Sequence, residues 1–161
     1  MSYPQQQDYS TQTWGEPPLW APFYGAGPVQ AVKRFFRKYA TFSGRASRSE
    51  YWWWVLAQYV ITFVFLVLYL VLGFVGATTA EDGTTVPGPG LFVGVALLFL
   101  WLLGSIVPGI ALVVRRLHDI NLSGWIALVL LVPGVGGILI LIFSLLAPNP
   151  EGQRFDRPTG A

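Results

Sequence analysis

The chain has 161 residues, 53% of them hydrophobic and only 11% charged, with a formal net charge of +2. A water-soluble domain carries roughly 25% charged residues, so lipid is the expected main solvent. Cysteine is absent and histidine occurs once, which excludes disulfides, thiolate metal sites and a cysteine nucleophile, and leaves too few nitrogen ligands for a histidine zinc site.

Residues 1–28 are rich in Pro, Gln, Tyr and Gly, show no helical period and lack the charged start and apolar core of a signal peptide. They read as a disordered tail with sticky aromatics. In residues 29–42, Val29, Val32, Phe36 and Tyr39 recur at helical spacing while Lys33, Arg34, Arg37 and Lys38 occupy much of the remainder. The spacing predicts a short amphipathic helix lying on an anionic membrane face, its four cations toward the headgroups, in preference to a helix packed on its own protein.

Residues 51–74 are uncharged. As a helix they extend about 36 Å, enough to cross the hydrocarbon with some tilt. Ser47-Arg48-Ser49-Glu50 matches a capping box, with Ser47 as N-cap, so the first span is placed at about 48–74. Trp52, Trp53 and Trp54 follow at once, and with Trp125 they read as an aromatic girdle at the lipid–water boundary. The loop 75–90 carries only Glu81 and Asp82. A second span follows at about 91–115, with Pro108 expected to kink it and Gly90 and Gly94 forming a weak small-xxx-small pair. The third apolar run, about 124–147, is interrupted by VPGVGG. On length a single broken span is favoured over two half-helices forming a re-entrant hairpin. Residues 148–161 form a polar tail. The fold expected is therefore an all-α integral membrane protein, with three transmembrane helices preceded by an interfacial amphipathic helix and a membrane domain at 29–147.

Lys and Arg near the span ends place the N-terminus and the Arg115–Asp119 connection in the cytoplasm and the acidic loop outside. Arg115 and Arg116 suit a helix C-terminus, and Ser123 or Asn121 caps the next helix. Arg48 at a helix N-terminus and Asp119 beyond a helix C-terminus are both electrostatically misplaced and need partners. The economical expectation pairs Arg45 or Arg48 with Asp119, and Glu50 with Arg115 or Arg116. His118 is either a pH-sensitive group or an interfacial side chain filling hydrogen bonds.

FSGRASRSEYWWW followed by RRLHDINLSGW and a Pro/Gly-broken apolar segment resembles the bacterial domain-of-unknown-function 805 family of small inner-membrane proteins. The matching positions are Gly44, Arg45, Arg48, Glu50, Trp52, Arg115, Arg116, Leu117, His118, Asp119, Ser123, Gly124 and Trp125, within roughly residues 35–157. Gln153-Arg154-Phe155-Asp156 departs from the Asn-Arg-Tyr-Gly-like end common in that family. The resemblance implies a multi-pass protein of the bacterial cytoplasmic membrane and no particular activity.

Three functions compete. A non-enzymatic module would bind anionic lipid, a membrane-protein partner or a second copy through its basic cytoplasmic face, since each Lys or Arg contributes about 1 kcal/mol near an anionic leaflet. A transporter or channel subunit would use the broken helices, although no ionisable group lies inside the spans. An enzyme acting on a headgroup would need His118 and Asp119 as an acid–base pair, but adjacent helical residues diverge by about 100° and no nucleophile, metal or cofactor constellation accompanies them. The first reading is preferred; no cofactor, metal or nucleic acid is expected.

Overall fold

The computed structural model describes residues 16–156. The described residues form four α-helices: α1 (Pro28–Arg37), α2 (Arg48–Gly73), α3 (Gly90–Asp119) and α4 (Gly136–Leu145). A 3-10 helix, Gly124–Leu131, precedes α4 and another, Pro150–Phe155, follows it. The loop between α2 and α3 holds a two-stranded antiparallel ribbon, β1 (Thr78–Thr79) on β2 (Thr85–Val86), a small departure from the all-helical expectation.

α2 starts where the capping box predicts. Ser47 Oγ accepts from the Glu50 amide at 3.1 Å, and the Glu50 carboxylate accepts from the Ser47 amide at 3.0 Å. Its 26 residues reach about 39 Å and the 30 of α3 about 45 Å, so both are long enough and apolar enough to cross a membrane. Side chains such as Phe63, Val71, Phe92 and Phe99 stand exposed along them. The polar side chains are distributed the other way: Arg34, Arg115 and Arg116 are among the largest fully buried groups. Such an inversion suits a hydrocarbon solvent around the helices and a sealed polar cap at one end.

α2 and α3 pack closely because glycine lines the seam. A Cβ on Gly94 would sit 2.8 Å from the Tyr69 Cα, and one on Gly90 2.2 Å from the Leu72 carbonyl oxygen. The small-residue pair is thus used. Pro108 lies inside α3, which continues through it. Lacking an N–H, Pro108 leaves the carbonyl of Gly104 without its helical donor, and Tyr39 Oη donates to that oxygen at 2.7 Å.

The third apolar run does not form one helix. The 3-10 arm is about 16 Å long and α4 about 15 Å, each half a hydrocarbon layer. The chain reverses at 132–135, where Gly134 takes φ +79°, and the arms then lie against each other. A Cβ on Gly136 would meet the Val129 oxygen at 2.1 Å. The far end of α4 returns to the end of α3: Arg116 Nε donates to the Ser144 carbonyl at 3.2 Å, and the Asn149 amide donates to the Asp119 carbonyl at 2.8 Å. The expected break at VPGVGG is present, and across it the two arms fold back on each other. Pro133 removes one backbone donor, and Gly134 admits the left-handed backbone at which the chain turns.

Two small apolar clusters support the polar cap. One holds Val114, Leu117, Ile120, Ala127 and Ile140; the other Phe35, Ala46, Trp54 and Leu112. Trp54 is buried and stacks on Phe35, ring centroids 3.3 Å apart, so it leaves the expected girdle. Trp52, Trp53 and Trp125 remain exposed. Three consecutive indoles must point three ways on a helix, and α1 covers the third.

Candidate functional site

The buried charges gather where α1, the start of α2 and the end of α3 meet. Glu50 is one centre. Its carboxylate accepts from Arg34 Nε at 2.6 Å and from the Phe23 amide at 2.9 Å, besides its capping bond. Lys38 Nζ stands 4.0 Å away. Arg34 spends its other nitrogens on the turn before α1, donating to the carbonyls of Pro17 at 2.9 Å, Pro18 at 3.2 Å and Ala21 at 2.6 Å.

Asp119 is the other centre, with no exposed surface. It accepts from Arg116 Nη1 at 2.5 Å and from Tyr24 Oη at 2.8 Å, with Arg45 Nη1 at 3.7 Å. Arg45 is held mainly by Asp156, through two bonds of 2.7 Å. Such a bidentate fork is the strongest geometry open to an arginine and a carboxylate. Arg116 also donates to the carbonyls of Ser144 and Leu146, closing the C-terminal end of α4. There a guanidinium satisfies oxygens the helix leaves free.

His118 faces neither acid. Its Nδ1 lies 3.1 Å from the Gly44 carbonyl oxygen and its ring stacks on Phe155 at 4.0 Å. Arg154 covers the Phe155 ring at 4.7 Å. Gly44 takes φ +78°, and a Cβ there would lie 2.6 Å from the Trp20 oxygen, which explains a glycine before Arg45.

The protonation states follow the burial. Burial, reinforced by Asp119, raises the Tyr24 phenol above its ordinary value and keeps it a donor. Burial works against the Arg45 charge, but Asp156 outweighs it and the pKa ends above the ordinary value. Burial pushes the Lys38 ammonium down to about 7, against the pull of Glu50.

Several expectations need correction. Asp119 meets Arg45, one of the two expected partners; the other, Arg48, is exposed and donates to the Leu145 carbonyl at 3.5 Å. A cation at the first turn of α2 is best left in solvent. Glu50 pairs with Arg34 rather than with Arg115 or Arg116. Arg115 bonds its own helix at Ala111, and Arg116 turns to Asp119 one helical turn on. Of the four cations assigned to the lipid face, Lys33 and Arg37 are exposed, while Arg34 and Lys38 point inward. Ser123 caps the 3-10 helix, accepting from the Trp125 amide at 3.4 Å, while Asn121 adopts φ 64°.

Residues 16–27 are not a loose tail: Phe23 and Tyr24 each satisfy a buried carboxylate. The rest of the expected disordered stretch, 1–15, lies outside the described residues, as do 157–161. Sequence reasoning missed Phe23, Tyr24, Phe155 and Asp156. An inventory of the eight acidic residues would have exposed the gap, since few of them can reach so many interior cations.

The family described as "Protein of unknown function (DUF805)" matches residues 39–157. The chain belongs to the DUF805 family. "Inner membrane protein YhaH" of Escherichia coli (strain K12) is 35% identical over 122 residues, which cover 76% of this chain and 89% of that protein. "Inner membrane protein YhaI" of the same strain is 35% identical over 119 residues, 74% of this chain and 86% of that one. No solved structure matches. The DUF805 match takes in α2, α3, the fold-back and the segment up to Asp156, so both carboxylate centres lie within it. With its two long apolar helices, this DUF805 chain is a membrane protein.

Proposed function

We propose that the chain is a non-enzymatic module of the bacterial inner membrane, whose cytoplasmic cap binds anionic headgroups or a membrane-protein partner. The observation that carries this reading is the division among the cations. Among the buried ones Arg34, Arg45 and Arg116 hold the cap together by charge-assisted hydrogen bonds, and Lys33, Arg37, Arg48 and Arg154 remain exposed. In this topology α2 and α3 cross the bilayer and residues 124–145 enter and leave on the cytoplasmic side. Both ends of that segment are tied to the end of α3. The acidic loop holding Glu81 and Asp82 then faces outward, in keeping with the positive-inside bias.

The absence of cysteine permits a direct test of topology. A cysteine at Gly83 is expected to react with an impermeant maleimide added outside intact spheroplasts. A cysteine at Gln153 is expected to react only after permeabilisation. Outside labelling at Gln153 would instead require three crossings. For lipid binding, the full chain in detergent is expected to retain phosphatidylglycerol over phosphatidylcholine, read by native mass spectrometry. Replacing Lys33, Arg37 and Arg48 with Gln should weaken that preference by about 1 kcal/mol, roughly fivefold, per cation. Equal retention of the two lipids would remove the electrostatic reading and leave a protein partner or self-association as the use of the cap.

A transporter or channel subunit is the second reading. Gln58 Nε2 lies 3.4 Å from Thr62 Oγ1 and 3.3 Å from Ser105 Oγ, beside a cavity of about 490 Å³ between α2, α3 and the fold-back. The group carries no charge, and its Nε2 bonds link α2 to α3, which supports helix association over ion passage, although Gln58 Oε1 is buried without a hydrogen-bond partner among the described residues.

A further inference from the structure

The two carboxylate centres differ in balance. Around Asp119, two guanidiniums, Arg45 and Arg116, face two acids, Asp119 and Asp156. Around Glu50, three cations, Arg34, Lys38 and Arg115, face one acid. Arg34 holds Glu50 by a direct hydrogen bond. Lys38 Nζ forms a long ion pair with Glu50 at 4.0 Å, beyond hydrogen-bond reach, and has no hydrogen-bond partner among the described residues. Arg115 Nε donates to Ala111, but its Nη2 is likewise without a partner among them. Both side chains are buried, Lys38 at 2% and Arg115 at 1% exposure. Asp156 also acts on Lys38, but both its oxygens are engaged by Arg45.

Excess buried charge with idle donors is costly, several kcal/mol per ion, unless a counter-charge is present. We propose that the interior beside Glu50 binds a small inorganic anion of halide size, held by Lys38 Nζ and Arg115 Nη2. Near-complete burial of both groups excludes a phosphate ester with its attached glycerol. The ion would neutralise the cap from within, and the site is separate from the exposed cations offered to headgroups. Lys38 faces Glu50, Arg34, Arg115 and Asp156, and burial holds its ammonium down to about 7. Anion binding therefore takes up a proton above that pH, and affinity must fall as pH rises.

The test uses the full chain in detergent, with chloride exchanged for gluconate at fixed ionic strength and unfolding followed by tryptophan fluorescence. A saturable rise in Tm with chloride is expected at pH 6.5. Its apparent affinity should weaken up to tenfold per pH unit toward pH 9, and the response should vanish in Lys38→Met. An equal response to gluconate, or an unchanged chloride response in Lys38→Met, would overturn the proposal. So would stabilisation by phosphate but not by chloride. Should Lys38→Met not fold, chloride-35 line broadening by the unaltered protein decides: broadening at pH 6.5 that fades by pH 9 supports the site, and none at either pH rejects it.

Discussion

Asp119→Ala is expected to destabilise the protein by about 3–5 kcal/mol, the cost of leaving a buried charge without its partner. Asp119 has no exposed surface and gathers Arg116, Tyr24 and Arg45 from three different segments. Its removal strands the Arg116 guanidinium, which also ties down the end of α4 through the Ser144 and Leu146 carbonyls. The loss should therefore reach the fold-back as well as the cap. Total stabilities of about 5–15 kcal/mol make this a large fraction. Reversible unfolding in mixed micelles checks it, with Arg48→Ala as the control. Arg48 is exposed, and its change should stay within about 0.5 kcal/mol. A cost for Asp119→Ala below about 1 kcal/mol would mean that the pair is not sealed from solvent.

Glu50→Ala should be comparably damaging, by a different route. It deletes the acceptor of buried Arg34, leaves the Phe23 amide unsatisfied and removes half of the capping box. The ion-pair loss is again about 3–5 kcal/mol and the cap adds about 1 kcal/mol. Glu50→Gln separates the two, because an amide can still cap the Ser47 N–H but cannot neutralise Arg34. Most of the cost should persist in Glu50→Gln. Hydrogen exchange gives the local readout: in Glu50→Ala the Phe23 amide and the turn at 17–21 should lose protection before α2 does, whereas the Glu50→Gln carbonyl can replace the one oxygen that accepts from both Ser47 and Phe23 and should loosen mainly the turn held by Arg34. Protection unchanged at Phe23 in Glu50→Ala would show that Glu50 does not anchor this segment.

α1 shows where pattern reading stops. Its cations were assigned to a lipid surface because charges on an amphipathic helix ordinarily face away from protein. That rule concerns a helix alone. Here Phe35 enters the core against Trp54, and the same packing turns Arg34 toward Glu50 and buries Lys38 beside it. The segment before α1 misled in a similar way. Pro-rich, turn-rich chain resembles disorder by composition, yet it offers free backbone carbonyls, and Arg34 uses three of them.

Local chemistry, present in the sequence alone, determined the two long apolar helices, the Ser47–Glu50 cap, the Ser123 cap and the presence of a polar cluster at one end. Each depends on neighbours within about one helical turn or on uninterrupted apolar length, so no distant contact is required. Only tertiary structure decided which base meets which acid. Arg45 and Asp156 are 111 positions apart, Tyr24 and Asp119 95 apart, and no periodicity links them. The direction of the third apolar run was decided in the same way. Its Pro/Gly break permits both a kink and a reversal, and Arg116, bonded to the Ser144 and Leu146 carbonyls, ties the far end of the run to the end of α3.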